Sequence, residues 1–330
     1  MKHQAIIDLL AAGRVANLPS VVSNVVLGCG LGLLTRNFFE SDAVFFLPVL
    51  AGCLFYLGGC FLNDWKDRDW DAKNRPERAL PSGRLSSRLL LTIGAGFSLA
   101  GLGLTTLLGH LVFFIGVALL ACILIYTWLH KKTAWGVLPM GLARALLYPL
   151  GFFSQVPILL SEDIPWLFSA PEVEQILLAD KLNQAEVIGV VILGLLSYIA
   201  GLSLFARAES QAVVPRTNRV LGLLFLVLPA LTHSFHWMPF YPIWNLISLA
   251  PFVFFLMLGI RRTRSSVPKG VTTFLASICL LDFIVALPLA VAFLSHETVA
   301  STFWQAICFP LVSIAAFLLA LLLQRIAPAT

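Results

Sequence analysis

The sequence predicts an all-α integral membrane protein with nine to ten transmembrane helices, and three observations carry that prediction. Of 330 residues, 59% are hydrophobic and 12% charged, against about a quarter charged in a soluble domain, so the chain lacks the polar surface to face water on all sides. Ten predominantly apolar runs are each long enough to cross a bilayer as a helix: residues 17–36, 43–62, 87–108, 110–129, 135–157, 187–206, 217–237, 241–260, 272–294 and 302–324. Lysine and arginine gather in every second connection between them. The total falls to nine if one run of the closely joined pairs 87–129 or 217–260 is kinked or half-inserted.

Taken in order, MKHQAIIDLLAAGRVANLPS (residues 1–20) reads as an amphipathic surface helix leading into the first span. It does not read as a removable signal peptide, because no small-residue cleavage site accompanies it. Basic residues mark the N-terminus (Lys2, Arg14), the 63–88 loop, Lys131–Lys132, Arg207–Arg219, Arg261–Lys269 and Arg325, while 37–42, the surroundings of His110, 158–186, 233–240 and 295–301 are neutral or acidic. With ten spans, every basic segment falls on one side, so the positive-inside rule puts both termini and residues 63–88 in the cytoplasm. The net charge of +5 then reflects topology and contact with anionic lipid. No soluble region is large enough to present a basic surface to nucleic acid.

The six cysteines lie scattered in the spans and read as small buried hydrophobes. No linker divides the chain, so residues 1–330 read as a single membrane-embedded domain. The longest polar connections are 63–86 and 158–186, the latter with EVEQILLADKLNQAE as a short amphipathic helix. Polar segments follow both the second and the sixth span, the pattern of two four-helix halves. Oligomeric state leaves no mark in the sequence.

The densest charge is NDWKDRDWDAKNRPERALPSGR, residues 63–84. If the second span stays helical through residue 71, Asp64, Asp67 and Asp71 fall at i, i+3 and i+7 within an arc of roughly 60°. Asn63 borders that arc, and Lys66 and Asp69 point elsewhere. Three carboxylates on one face repel one another unless something positive sits between them. An oxygen-only cluster suits Mg²⁺, which pairs a few carboxylates with water and substrate phosphate oxygens. Pro76 and Pro81 end the helix, so Arg75, Arg78 and Arg84 follow in a loop, and arginine matches the geometry of phosphate oxygens. Arg144, in MGLARALLY, is a charge inside an apolar run, which marks a residue facing a protein interior or watery cavity.

Asn63-Asp64-x-x-Asp67-x-x-x-Asp71 followed by NRPERALPSGRLS resembles the first aspartate-rich motif of the UbiA superfamily of intramembrane prenyltransferases. The resemblance implies a UbiA-type helical bundle, two four-helix halves around a central cavity, commonly with nine spans. Four candidate spans after residue 217 are one more than usual. It also implies an acceptor-side role for Asn17, beside Arg14 and Pro19, and substrate-binding roles for Tyr126, Lys131 and Lys132 in YTWLHKK. Arg144 would face the diphosphate. The second acidic motif is thin: in SYIAGLSLFARAESQ only Glu209 supplies a carboxylate, Leu202 stands where an aspartate is expected, and Ser203 and Arg207 lie close by. Either a second Mg²⁺ is held with fewer protein ligands, or one metal binds, or activity is reduced. LHKK, MGLAR and GLSLFARAES together resemble an EboC-like bacterial subgroup, which implies a bacterial inner membrane.

The function so implied is Mg²⁺-dependent transfer of an isoprenoid chain from a prenyl diphosphate to an aromatic or lipophilic acceptor. Asp64, Asp67, Asp71 and Glu209 would hold metal. Asp64, Asp67, Asp71 and Arg144 would act in catalysis, and Asn17, Asn63, Arg75, Arg78, Tyr126, Lys131, Lys132 and Arg207 would bind substrate. The alternative is a catalytically reduced prenyl- or lipid-binding or transport protein on the same fold. A CDP-alcohol phosphotransferase is excluded, because Asp64 is followed by Trp-Lys-Asp-Arg with no glycine. Asp282 is open between helix packing and a cavity role. His233 and His236 read as interfacial residues in an outer turn.

Overall fold

The computed structural model describes residues 2–33, 45–130, 136–155, 182–207, 214–237, 239–295 and 300–326. Segments 37–42 and most of 158–186, including the expected amphipathic helix there, lie outside them. The described residues form α1 (Lys2–Ala12), a 3-10 turn (Val15–Asn17), α2 (Leu18–Leu33), α3 (Phe46–Asn74), α4 (Ser87–Thr106), α5 (His110–Leu129), α6 (Val137–Ala145), α7 (Leu147–Gln155), α8 (Leu182–Ala206), α9 (Arg216–Trp237), α10 (Pro242–Ser265), α11 (Val267–Ala276), α12 (Ile278–Ser295) and α13 (Ala300–Ile326). Among the described residues, ten helical stretches are long and apolar enough to cross a membrane. Helix is the natural state of such runs, because lipid offers no partner for a free backbone N–H or C=O. Both closely joined pairs are separate helices: α4 and α5 turn through Gly109, at φ 112°, and α9 and α10 are distinct.

The second span continues as helix to Asn74, as the aspartate spacing requires. Pro76 ends it, with the Arg75 N–H closing on the Asp71 carbonyl at 2.7 Å. Ser86 restarts the chain by capping α4, its hydroxyl accepting from the Leu89 N–H at 3.2 Å. Spans five and nine are composite, α6–α7 and α11–α12, broken at Leu146 and Ser277.

Burial separates the spans into two kinds. The first is 83% buried in protein and the ninth 78%, against 28% for the third and eighth, so spans one and nine are central and the latter two face lipid. One large apolar cluster joins α2 and α7 to α8–α13, and a second joins α2 and α7 to α3 and α5. Helices α2 and α7 thus form the wall shared by both halves. Their backbones approach closely at glycine: a Cβ on Gly28, Gly32 or Gly151 would collide with the carbonyl of Tyr148, Phe152 or Val25 respectively, the small-residue packing that membrane helices favour.

Asp282 is a packing residue. It is buried on α12 and accepts hydrogen bonds from Ser23 and Asn24 of α2 and from the Tyr148 hydroxyl of α7, the last at 2.6 Å. Three spans are thereby tied by one carboxyl. His233 departs from the sequence expectation: it is buried within α9, its ring against Gly194 of α8, because α9 runs through the segment read as a turn. The His236 side chain lies outside the described residues.

Candidate active site

The Asp64 end of the bundle carries the charge. Helix α1 lies across it, with Ala12 packed among Phe61, Leu85 and Leu90. Asp8 of α1 accepts from Arg84 at 2.9 Å, pinning the helix to the loop after α3. The chain then reverses at Arg14, whose φ of 45° and ψ of 47° make it the single non-glycine residue with positive φ among the described residues. A non-glycine side chain there stores strain that its surroundings must offset. The offset is visible: Arg14 Nη2 donates to Asp64 Oδ1 at 2.8 Å. That carboxylate pushes the Arg14 pKa well above its ordinary value, outweighing burial, so Arg14 is a permanent cation.

All three predicted aspartates sit on α3, and each has a cationic or imidazole neighbour. Asp71, almost fully buried, accepts from Arg78 Nη1 at 2.9 Å; the same guanidinium lies 3.9 Å from Asp64 Oδ1. Asp67 turns toward α5, where His130 Nε2 stands 3.0 Å from its Oδ2 and Asn63 donates to it at 3.4 Å. His130 Nδ1 faces the Tyr126 carbonyl at 3.0 Å. Both ring nitrogens therefore face oxygens. Lys66 and Asp69 point elsewhere, as expected: Lys66 lies over the Trp128 ring and Asp69 is exposed.

Two cavities meet at Arg14. The first, about 190 Å³, is lined by Asp8, Arg14, Asp64, Asp71, Arg78 and Arg84 with Ala79–Pro81 and Leu85. The second, about 250 Å³, has an apolar wall of Phe55, Leu119, Ile123, Met140, Leu147, Ile199, Leu202 and Leu275, and a polar end of Arg14, Asn17, Tyr56, Asn63, Tyr126 and Arg144. Buried polar atoms remain unpartnered in both: Asp71 Oδ1 in the first, Asn63 Oδ1 and Arg144 Nη1 in the second. An acid-and-arginine pocket opening beside a greasy one suits an amphiphile with a polyanionic head.

Residues 23–172 match the sequence profile of the UbiA prenyltransferase family, a region holding all three aspartates and Arg144. Over this stretch, a little under half of its length, the chain is similar to the UbiA family. The digeranylgeranylglyceryl phosphate synthase of Sulfolobus acidocaldarius is 31% identical over 119 residues, 35% of this chain and 42% of that one. The 4-hydroxybenzoate octaprenyltransferase of Alkalilimnicola ehrlichii is 30% identical over 109 residues, 32% of this chain and 37% of that one. The chain thus spans less than half the length of these curated relatives. A solved structure concerned with digeranylgeranylglyceryl phosphate synthase in membranes shares the fold, with a TM-score of 0.50 over 97% of this chain and 98% of that one at 14% identity.

Within this bundle, the structure brings together Asp64, Asp71 and Arg78 around the first cavity, and Asn17, Asn63, Tyr126 and Arg144 around the second. Asp67 joins through Asn63. Arg75, capping α3, and Arg207, at the exposed end of α8, line neither cavity. Lys131, Lys132 and Glu209 lie outside the described residues. Leu202 does face the second cavity, so an apolar side chain stands where the resemblance calls for a carboxylate. His130, Ser20 and Tyr56 were not anticipated. Of these only His130, beside the basic pair in LHKK, carries a local signal.

Proposed function

We propose that the protein, one membrane domain over residues 1–330, is a Mg²⁺-dependent intramembrane prenyltransferase acting on a prenyl diphosphate and an aromatic or lipophilic acceptor. The observation that carries this reading is the junction at Arg14 of a cavity lined by Asp64, Asp71 and Arg78 with an apolar cavity of about 250 Å³. The names of two relatives agree, one an octaprenyltransferase of 4-hydroxybenzoate and the other a synthase of a digeranylgeranylglyceryl phosphate.

The donor set fits the metal. Carboxylate oxygens suit a hard cation, and Asp71 Oδ1 is buried without a partner. Among the described residues no three His, Cys, Asp or Glu side chains stand together closely enough to hold an ion alone, which agrees with the habit of Mg²⁺ to take one or two carboxylates and complete its shell with phosphate and water. Asp64 and Asp71, which line the first cavity, would hold it, with Glu209 as a further ligand and Asp67, now paired with His130, as another only once it turns to the ion. Bound there, it would neutralise a diphosphate leaving group.

The chain's own residues do the rest. Arg14 and Arg78, now spent on carboxylates, are placed to exchange those partners for phosphate oxygens as charge-assisted donors. The allylic C–O bond breaks with its electron pair leaving on diphosphate. The acceptor's nucleophile then bonds to the allylic carbon and loses a proton. Rings of Phe55, Tyr56 and Tyr126 line the cavity, where aromatic faces stabilise developing positive charge and the apolar wall keeps water from capturing it. The positive-inside pattern supports a site on the cytoplasmic face, and the LHKK and MGLAR segments support the EboC-like subgroup and with it a bacterial inner membrane.

The test incubates purified protein with labelled geranyl, farnesyl and geranylgeranyl diphosphates, Mg²⁺ and an acceptor panel, beside Asp64→Ala and Asp67→Ala. Transfer lost in both variants supports the assignment, and diphosphate release unchanged in both sinks it. Leu202 in the cavity wall favours one second reading, a prenyl-lipid binding or transport protein. Tight Mg²⁺-dependent binding without turnover would mark that outcome.

A further inference from the structure

We propose that Arg144, for which the resemblance implies a place facing the diphosphate, is instead a recognition site for an anionic group, carboxylate or phosphate, on the acceptor. This rests on the reading of the two cavities given above. Arg144 is 8% exposed and lines the second cavity only. A guanidinium so buried is costly without a counter-charge, yet its Nη1 has no partner, and no carboxylate among the described residues forms an ion pair with it. The other cations of the site are neutralised, Arg14 by Asp64 and Arg78 by Asp71. Asp282, in the same core, gives its oxygens to Ser23, Asn24 and Tyr148.

The group is also held in one orientation. Ser20 donates its hydroxyl proton to the Asn17 carbonyl at 2.7 Å, which leaves its oxygen to accept from Arg144 Nη2 at 3.0 Å. The Tyr56 ring packs 5.1 Å from the guanidinium carbon. One edge and one face of the fork are thus fixed, and the remaining N–H groups are preset for planar, bidentate capture of an oxyanion. The prenyl diphosphate has its own cations and carboxylates in the first cavity, so the charge that completes Arg144 belongs to the second substrate. An uncharged acceptor would leave the cation buried with no ion-pair partner among the described residues.

The test measures binding to the full chain in lipid nanodiscs by titration calorimetry, without prenyl diphosphate. The probes are 4-hydroxybenzoate against its methyl ester, and a long-chain alkylglycerol phosphate against the free alkylglycerol. At least one charged member should bind about tenfold or more tighter than its neutral partner, the worth of a charge-assisted hydrogen bond; which pair shows it separates a carboxylate acceptor from a phosphate one. Arg144→Gln should erase that preference and Arg144→Lys keep part of it. Affinity for farnesyl diphosphate with Mg²⁺ should stay within about twofold in both variants.

The proposal is overturned if neither charged probe is preferred, or if the preference survives Arg144→Gln. It is equally overturned if that variant loses farnesyl diphosphate affinity while keeping the acceptor preference. Should Arg144→Gln fail to fold, the wild-type comparison and Ser20→Ala, which removes the orienting oxygen and should weaken the preference, decide instead. Failure of the transferase reading would register separately, as farnesyl diphosphate binding that ignores Mg²⁺ and Asp64→Ala.

Discussion

Arg78→Met should destabilise the protein, and Asp71→Asn should largely repair the damage without restoring function. The Asp71 side chain is 3% exposed, receives Arg78 Nη1 at 2.9 Å and leaves its other oxygen unpartnered. Removing one partner of a buried ion pair costs roughly 3–5 kcal/mol because the other charge is left uncompensated. Arg78 is 28% exposed, so water entering the vacated space brings the expected loss to the lower end, about 3 kcal/mol. Asp64, 3.9 Å from the same guanidinium, keeps Arg14 and adds little. In the double variant no charge is stranded, and the residual loss is that of one hydrogen bond, about 1 kcal/mol. Reversible unfolding in mixed micelles, followed by tryptophan fluorescence, gives the three free energies, and Mg²⁺-dependent farnesyl diphosphate binding gives function. Both variants should bind weakly, since both lack Arg78. Equal stability of the single and double variants, or a single-variant loss below about 0.5 kcal/mol, would refute the claim that Asp71 is a buried charge held by Arg78.

Two further outcomes concern the scaffold and are read by the same unfolding measurement. Gly28→Ala puts a Cβ into the Tyr148 carbonyl and 3.0 Å from its Cα, whereas Gly103→Ala meets nothing within 4 Å; the first should cost about 3 kcal/mol through overpacking against immovable backbone, and the second should be neutral or stabilising by up to about 1 kcal/mol. Tyr148→Phe deletes the 2.6 Å bond to Asp282 and should cost about 1–2 kcal/mol while farnesyl diphosphate affinity stays within about twofold, because neither residue lines a cavity.

What the sequence conveyed was what depends on neighbours along the chain. The ten apolar runs became ten candidate spans, and the i, i+3, i+7 aspartates required the helix to outrun its apolar stretch, which α3 does as far as Asn74. The partners demanded by those aspartates are present, but their sources were not legible. Arg14 reaches Asp64 from 50 positions away and His130 reaches Asp67 from 63, and such pairings are set by helix packing that no local pattern encodes. Asp282 was open between two roles for the same reason: its donors, Ser23, Asn24 and Tyr148, belong to spans far away in the chain. His233 was misread because a His-Ser-Phe-His-Trp segment looks like an interfacial turn, while burial against Gly194 lets α9 carry the ring inside.

The breaks in the helices explain how one site arises from spans far apart in the chain. Span one opens at the left-handed Arg14, span five breaks at Leu146 and span nine at Ser277, an interval of four spans each time. An interrupted helix facing lipid would leave backbone groups without partners; buried in protein, those groups can be satisfied. Spans one and nine are the most buried of the ten, and span five is half buried, so the interruptions fall in interior or inward-facing helices. Each break supplies the second cavity: Arg14 and Asn17 from span one, Ala143, Arg144 and Leu147 from span five, and Leu275 from span nine. The glycine contacts of α2 with α7 and the Asp282 bonds hold these three spans in register below the breaks. The site residues therefore gather where the central helices depart from regularity, and it is the recurrence of those departures in spans one, five and nine that builds one cavity between them.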